Sequence, residues 1–506
     1  MKSIVVLFDE KNKYEDEKVF GGKSAKELCN SAALSLGFDV KTITGCTTIT
    51  SLLEELDKIC RDSGADNLIF SYADCLFLNK ELTQKLLSTH IDYKAEYTFA
   101  EGYPESFAPE ILNNGTVSIL CELSKTTAKA TGDQKISRHS IMDIIKTDIN
   151  SFEVETVLAP VDWRLLRLAF DCRKKETFLA CQKLYNRGEG VMNALGLNLW
   201  DADIVDLSEL ASHTAEILKT VPGFYNLQLA QKCQGKCSYC PYPAHLKQKE
   251  GTEPALASKI MDFDKACALI DQIAEFSCEA VIGLSAWGEC FNHPDLIKII
   301  EKILSYEGLS VFIEADGCSI PDDFAQKVAP VVNAAPERTN CWQKLMIAVS
   351  MDGFTAQTCA NLRGKDFNLE KSVEAVKKLQ ESLPGCVYPQ FVRMNANEAE
   401  LESFFRYWND KSNATGGNFI IQKYNSFAGL LKNEEPADLS PLDRNVCWHL
   451  RRDMTILYNG DVPLCFCRVL DDIKGNVFEQ GIGEVWKKLD EDNKCGGCDE
   501  FYTFNF

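Results

Sequence analysis

The sequence holds no apolar run near the ~18 residues a membrane-crossing helix needs. It also lacks a basic excess: 54 Lys and Arg stand against 74 Asp and Glu, a net charge of −20. That balance argues against a general nucleic-acid binder, which needs a positive face for phosphates. Histidine is scarce, six in 506 residues, so histidine-based zinc sites have few possible ligands. The first ten residues, Met1-Lys-Ser-Ile-Val-Val-Leu-Phe-Asp-Glu10, have only a short apolar core and no small-residue cleavage site. They read as a first buried strand and not as a signal peptide. Neither a nucleic-acid nor a membrane partner is expected.

Cysteine, by contrast, is abundant, with 22 in the chain. Without a secretion signal a disulfide framework is not expected, and the compartment reads as the reducing cytoplasm. Scattered cysteines (Cys29, Cys46, Cys60, Cys75, Cys121, Cys172, Cys181, Cys267, Cys278) read as small buried hydrophobes. The others that stand out form two clusters, and these read as metal ligands.

The first cluster is Cys233-Gln-Gly-Lys-Cys237-Ser-Tyr-Cys240, which follows the β-prone run Phe224-Tyr-Asn-Leu-Gln-Leu-Ala230. Gly235 lets the backbone turn so that three thiolates can converge. The count of three matters. A structural zinc is closed by four protein ligands, and a simple electron-transfer cluster takes four thiolates. Three ligands leave one metal position open.

The length suggests about three domains. Residues 1–200 alternate strand and helix: Ile4–Phe8, Ser24–Leu36, Val40–Ile43, Thr50–Cys60 and Asn67–Tyr72. That order implies a parallel sheet covered by helices. Asp74 lies at the carboxyl end of a strand, where open α/β sheets bind ligands. A boundary falls between about 198 and 222, ending at Pro222-Gly223. Residues 222–430 then hold six strand–helix units, too few for a closed eight-fold barrel and enough for an open partial barrel. The strands are the run before Cys233, then Glu279–Ser285, Leu309–Ala315, Lys344–Ser350, Val387–Met394 and Asn418–Gln422. Residues 440–506 form a small cap with the second cluster: Cys447, Cys465, Cys467, Cys495 and Cys498. Asn459-Gly460 predicts a hairpin turn between Met454–Tyr458 and Val462–Leu464, bringing Cys465 back near Cys447. A helix over Ile482–Leu489 returns the chain to Cys495 and Cys498. The fold class is thus α/β: a front sandwich, a partial (βα)6 TIM-type barrel and a cysteine-rich cap.

Three resemblances follow. The front domain resembles nucleotidyltransferases of the cytidylyltransferase type through Gly21-Gly-Lys-Ser-Ala-Lys-Glu-Leu28, the strand before Asp74, and Trp163-Arg-Leu-Leu-Arg-Leu-Ala-Phe-Asp171, which looks like that family's late strand. The resemblance implies that Asp74 and Asp171 match a pair that holds a divalent metal on nucleotide phosphates. The chain departs from the family after strand one. The glycine-rich basic loop is replaced by Asp9-Glu-Lys-Asn-Lys-Tyr-Glu-Asp-Glu17, which repels a triphosphate. A degenerate scaffold that binds a partner or substrate is the favoured reading of this domain.

The barrel resembles the radical S-adenosylmethionine superfamily through Cys-x3-Cys-x-aromatic-Cys, with Tyr239 as the aromatic. The resemblance implies that Cys233, Cys237 and Cys240 hold three irons of a [4Fe–4S] cluster and that S-adenosylmethionine takes the fourth. Gly288-Glu289 matches the Gly-Gly-Glu motif that holds the cofactor's amino group, with Trp287 in place of the first glycine. Ser350 and Arg363-Gly364 match positions that contact the cofactor's sugar and carboxylate. A cationic Arg363 suits a carboxylate, and Glu289 suits an ammonium.

The cap resembles SPASM and Twitch extensions, with Cys447, Gly460 and Cys465 as the Cys-x12-Gly-x4-Cys signature. It implies one auxiliary [4Fe–4S] cluster on Cys447, Cys465, Cys495 and Cys498. A closed zinc with those ligands is the competing reading, and Cys467 is left without a role. The whole layout resembles the spirochaete SPASM proteins. The implied function is a radical oxidoreductase or maturase that abstracts hydrogen from an unidentified substrate, such as a peptide or protein side chain. It would draw on a flavodoxin- or ferredoxin-type reductant. The alternative is a non-catalytic iron–sulfur protein with a partner-docking front domain.

Overall fold

A computed structural model describes residues 1–131, 135–195, 215–339, 342–437, 447–468, 473–490, Cys495 and Cys498. Among them no helix is long and apolar enough to cross a membrane. The chain divides into two compact units, Met1–Thr220 and Val221–Phe506.

The front unit is built on six strands: β1 (Ser3–Asp9), β2 (Asp39–Thr44), β3 (Asn67–Tyr72), β4 (Tyr97–Glu101), β5 (Glu110–Asn113) and β6 (Val154–Leu158). Their order is β2-β1-β3-β5-β4-β6. The pairs β1–β2, β1–β3 and β4–β6 are parallel, whereas β5 runs antiparallel to both β3 and β4. Every residue of β1 is buried, as its unbroken apolar run requires of an inner parallel strand. The helix Ala25–Ser35 starts where the sequence reading placed it. Ser24 and Glu27 form a capping box that satisfies two free N–H groups at its start. The helix Ile49–Ser63 packs Leu52, Leu53, Leu56 and Ile59 inward and stops at Gly64, whose φ of 62° a residue with a side chain rarely adopts.

One expectation fails here. Trp163–Asp171 is not a late strand. Asp162 caps a short 3-10 turn over Trp163–Leu166, and Arg167 then takes a left-handed φ of 46°. Among the described residues its one ladder contact is a single bridge from Ala169 to Glu105.

Asp74 and Asp171 are both fully buried. Asp74 accepts from Arg138 Nη2 at 2.6 Å, Asn12 Nδ2 at 3.1 Å and the Cys172 amide at 3.2 Å. Arg138 also reaches Glu10 at 2.9 Å, and its guanidinium lies 3.7 Å from the centre of the Tyr72 ring. Asp171 accepts from Ser106, Thr177 and two nitrogens of Arg173 at 2.7–3.1 Å. The neighbouring Arg173 and Arg138 guanidiniums hold the Asp171 carboxyl below the usual range despite its burial. Arg138 carried no signal in the sequence, yet it is a buried cation of this unit.

The second unit is one curled sheet of seven parallel strands. These are β7 (Phe224–Leu227), β8 (Ala280–Gly283), β9 (Leu309–Asp316), β10 (Leu345–Ser350), β11 (Val387–Arg393), β12 (Ile420–Lys423) and β13 (Asp453–Ile456). The order β12-β11-β10-β9-β8-β7-β13 puts the six expected strands side by side in chain order. The helices Phe263–Ser277, Leu296–Leu304, Phe324–Ala334, Leu369–Ser382 and Leu401–Trp408 follow the strands as expected. Their buried faces, Leu269, Ile273, Ile300, Val328, Val376 and Phe404 among them, share one core with the strands. This is the open partial barrel.

The predicted hairpin is a correction. Asn459-Gly460 does turn the chain, with the Leu457 amide bonded to the Asp461 carbonyl at 2.8 Å. The two strands it joins then part. β13 pairs in parallel with β7 as a seventh barrel strand. β14 (Asp461–Pro463) instead pairs antiparallel with β15 (Ile473–Asn476). The reason lies in burial: all four residues of β13 are buried, which a two-stranded ribbon cannot achieve.

Replacing Arg138 with Met leaves Asp74 and Glu10 without their buried cation. Urea denaturation of the full chain should show a loss of about 3–5 kcal/mol, as for other broken buried ion pairs. A loss below about 1 kcal/mol would mean that the guanidinium does not hold this network.

Candidate metal and cofactor centre

The cysteine loop leaves β7 and is held on three sides. The Gln231 and Cys233 amides donate to the Lys259 and Pro254 carbonyls at 3.0 and 3.1 Å. The Lys232 carbonyl accepts from the Glu289 amide at 2.9 Å and from Asn292 Nδ2 at 3.0 Å. The Ser238 amide donates to the Leu362 carbonyl at 2.8 Å. The loop therefore bridges the loop after β8 and the helix Ala356–Arg363. At Gly235 an added Cβ would sit 3.4 Å from Cys233 Sγ and 3.6 Å from Cys237 Sγ, so the glycine lies between two of the thiols. Burial pushes the Cys233 and Cys240 thiols up to about 12 and raises Cys237 as well.

The loop after β8 brings up the next residues. Gly288 has no alternative: a Cβ there would lie 1.8 Å from the Ala230 carbonyl oxygen. Trp287 before it has a φ of 47°, in the region that favours glycine. Glu289 is buried and accepts from Ser319 Oγ at 2.9 Å. Burial, with Asp316 close by, pushes its carboxyl up to about 8. A carboxylate so placed gains strongly from an ammonium beside it.

Ser350 ends β10 and donates to Glu314 Oε1 at 3.2 Å, and Gln390 Nε2 bonds both, at 2.7 Å to Glu314 and 3.1 Å to Ser350. Arg363 ends its helix buried. One nitrogen, Nη1, serves Asp352 at 2.5 Å and the Tyr239 hydroxyl at 2.7 Å. Tyr239 donates to the same Asp352 carboxylate. Arg363 is therefore not a free carboxylate binder, because Asp352 already balances its charge. Among the described residues its buried Nε has no hydrogen-bond partner. Tyr239 is more than an aromatic of the motif, since it ties the cysteine loop to Arg363 and Asp352.

Glu314, Asp316 and Asp352 stand at the polar ends of β9 and β10, where such folds build their sites, but no cofactor role was read for them. Ser319, just past β9, and Gln390, in the middle of β11, were missed as site residues. The expected residues of the loop after β8, the end of β10 and the helix Ala356–Arg363 lie on the same barrel edge as the three cysteines.

In the cap, Cys447, Cys465 and Cys495 gather with Leu450 and Leu464. The Cys498 amide donates to the Cys495 carbonyl at 3.0 Å, and the Cys498 thiol lies close enough to raise Cys447. Cys465 is lowered by a hydrogen bond from Cys467 and by nearby His449. Cys467 Sγ also accepts from Asn425 Nδ2 at 3.4 Å, on the loop after β12. Among the described residues no three Cys, His, Asp or Glu side chains are grouped tightly enough to hold a single metal ion. A four-iron cluster is wider than one ion and sets its thiolates further apart.

Residues 447–499 match the SPASM family, an iron-sulfur cluster-binding domain. An uncharacterized protein of Treponema pallidum (strain Nichols) is 35% identical over 384 residues, covering 72% of this chain and 98% of its own. The chain belongs to the family of that treponemal protein. Its cap is an iron–sulfur cluster-binding domain, which decides against the zinc reading. The resemblance of the cap to a SPASM extension holds. Among solved structures the chain is similar to Streptococcus suis SuiB bound to precursor peptide SuiA, at 13% identity, TM-score 0.41, covering 68% of this chain and 88% of that one. It is also similar to a cytidylyltransferase from Leptospira borgpetersenii, at 10% identity, TM-score 0.33, covering 43% of this chain and 97% of that one. The donors fit a [4Fe–4S] cluster with S-adenosylmethionine on the loop and one auxiliary cluster in the cap. Two thiols flank Gly235 and the third follows on the same loop, an orphaned Arg363 Nε and a buried carboxyl lie on the same edge, and four cysteines meet in the cap.

Gly288→Ala forces the Ala230 carbonyl away and drags the cysteine loop with it. Iron per chain should fall by about half, with the cap's share of a two-cluster protein retained. Full iron content in this variant would show that the close approach does not shape the loop.

Proposed function

We propose that this protein is a radical S-adenosylmethionine enzyme that removes a hydrogen atom from a peptide or protein side chain. The observation that carries the reading is the three-thiol loop on the same barrel edge as the buried carboxyl of Glu289. When bound there, a [4Fe–4S] cluster with S-adenosylmethionine supplies one-electron cleavage of the cofactor and a 5′-deoxyadenosyl radical. The chain's own residues position it. Cys233, Cys237 and Cys240 hold three irons and leave one open. Gly288 lets the backbone approach, and Glu289 accepts the cofactor's ammonium. Ser350 faces the sugar, fixed by Glu314 and Gln390. Arg363 offers Nε to the carboxylate while Asp352 and Tyr239 hold its far end. The lumen's surplus of carboxylates, Glu289, Glu314, Asp316 and Asp352 against Arg363, favours a ligand of net positive charge.

A peptide substrate is supported by an open barrel. The electron comes from a flavodoxin- or ferredoxin-type protein, and the setting is cytoplasmic. The domain limits we propose are 1–200, 222–430 and 440–506. The front domain serves as a docking scaffold for substrate or partner, not as a cytidylyltransferase, because protein donors already occupy Asp74 and Asp171. The competing reading is a non-catalytic iron–sulfur protein.

The deciding assay is anaerobic incubation of reconstituted protein with dithionite and S-adenosylmethionine. We expect 5′-deoxyadenosine to accumulate at least tenfold above a Cys240→Ala control. Equal amounts from both would leave only the non-catalytic reading.

A further inference from the structure

Asp352 stands just past β10 with a left-handed φ of 60° and is fully buried. A residue with a side chain keeps such a conformation only where its surroundings hold it. Here they hold it from several sides. Its Oδ1 accepts from the Val392 amide of β11 at 2.8 Å. Its Oδ2 accepts from Arg363 Nη1 at 2.5 Å and from the Tyr239 hydroxyl. Its carbonyl accepts from Asn397 Nδ2 at 2.9 Å. Asn397 is buried in turn and bonds the Val392 carbonyl and the Met394 amide, each at 2.8 Å. The carboxylate is thus fixed by the protein's own donors.

The two side chains on Oδ2 both belong to the surroundings of the cysteine loop. Tyr239 lies between Cys237 and Cys240. Arg363 closes the helix Ala356–Arg363, whose last carbonyls dock that loop. The Ser238 amide donates to the Leu362 carbonyl at 2.8 Å, and the Lys236 amide to the Arg363 carbonyl at 3.4 Å. Gly364 follows with a φ of 100°, and a Cβ there would stand 3.0 Å from the Lys236 Cβ. Burial is the main cause that raises the Cys237 thiol; Arg363 then draws it down and Asp352 pushes it back up. Both charges are therefore felt at a ligand sulfur.

Arg363 and Asp352 are both buried, so water and salt screen them little. A lone guanidinium here would favour any centre that gains negative charge. Paired with Asp352, it brings no net charge to the loop. A cluster gains one negative charge when it takes up an electron, and the net charge around it sets how readily it does so.

We propose that Asp352 is a positioning residue that pins Arg363 and cancels its charge, and so keeps the cluster held by Cys233, Cys237 and Cys240 at a low potential. A low potential suits a centre that must pass its electron on to a bound cofactor. The proposal rests on the reading of the cysteine loop as a cluster site, and the experiment separates the two.

The experiment is a redox titration of the full reconstituted chain, with and without Cys465→Ala to remove the cap cluster, followed by EPR of the loop cluster. Asp352→Asn keeps the shape and loses the charge. At a fixed applied potential and unchanged iron content it should raise the ratio of reduced to oxidised cluster about tenfold, the scale of a unit charge acting through a protein interior. Arg363→Gln should lower that ratio. The two substitutions together should return it to within about twofold of the unmutated protein, because the charges removed are opposite. An unchanged ratio in Asp352→Asn, or shifts of the same sign in the two single variants, would overturn the proposal. Should Asp352→Asn take up no iron, Arg363→Gln alone decides, and a ratio there that is unchanged or higher would overturn it. Absence of any loop cluster in the unmutated protein would overturn the functional reading, and this inference with it.

Discussion

The centre depends on one close contact, the backbone of Gly288 against the Ala230 carbonyl. The two segments pass so near that a single methyl group would overlap the oxygen, at 1.8 Å. From that contact the Glu289 amide reaches the Lys232 carbonyl, and the cysteine loop is pinned one residue before its first ligand. The same contact aims Glu289 into the barrel and sets the strained Trp287 against the cap. Loop, cofactor acceptor and cap are thus positioned by one backbone crossing, and small disturbances there should be felt at all three.

Much of this was legible in the sequence. The six barrel strands are apolar runs, and their order needed no long-range information beyond the right-handed crossover of successive parallel strands. The cysteine spacings were legible for the same reason: ligands close in sequence are close in space. The hidden parts are those that depend on contacts between distant segments. Asp352 and Tyr239 are 113 residues apart, and nothing local shows that one tyrosine and one arginine share a carboxylate. β13 read as one arm of a hairpin because Asn459-Gly460 is a strong local signal, but the barrel edge at β7 offered full burial and won. Trp287 read as a blemish in a motif until the rings of Tyr242, Phe427 and Phe466 were seen around it.

The front unit shows how a scaffold can close a ligand site from within. Asp74 follows the end of β3, and Arg173 bonds Asp171 two residues before it. Arg138 does the same for Asp74. Each carboxylate is held by several protein donors, so neither needs a metal for charge balance. An acidic loop at Asp9–Glu17 adds further negative charge.

The central claim is an open iron on the cysteine loop beside a closed cluster in the cap. Its most direct test is Mössbauer spectroscopy of 57Fe-reconstituted protein, read with total iron and zinc. The account predicts about eight irons in two four-iron clusters and no zinc. Adding S-adenosylmethionine should give one iron of the loop cluster a distinct signal. Four irons with one zinc, or a spectrum that S-adenosylmethionine leaves unchanged, would contradict it.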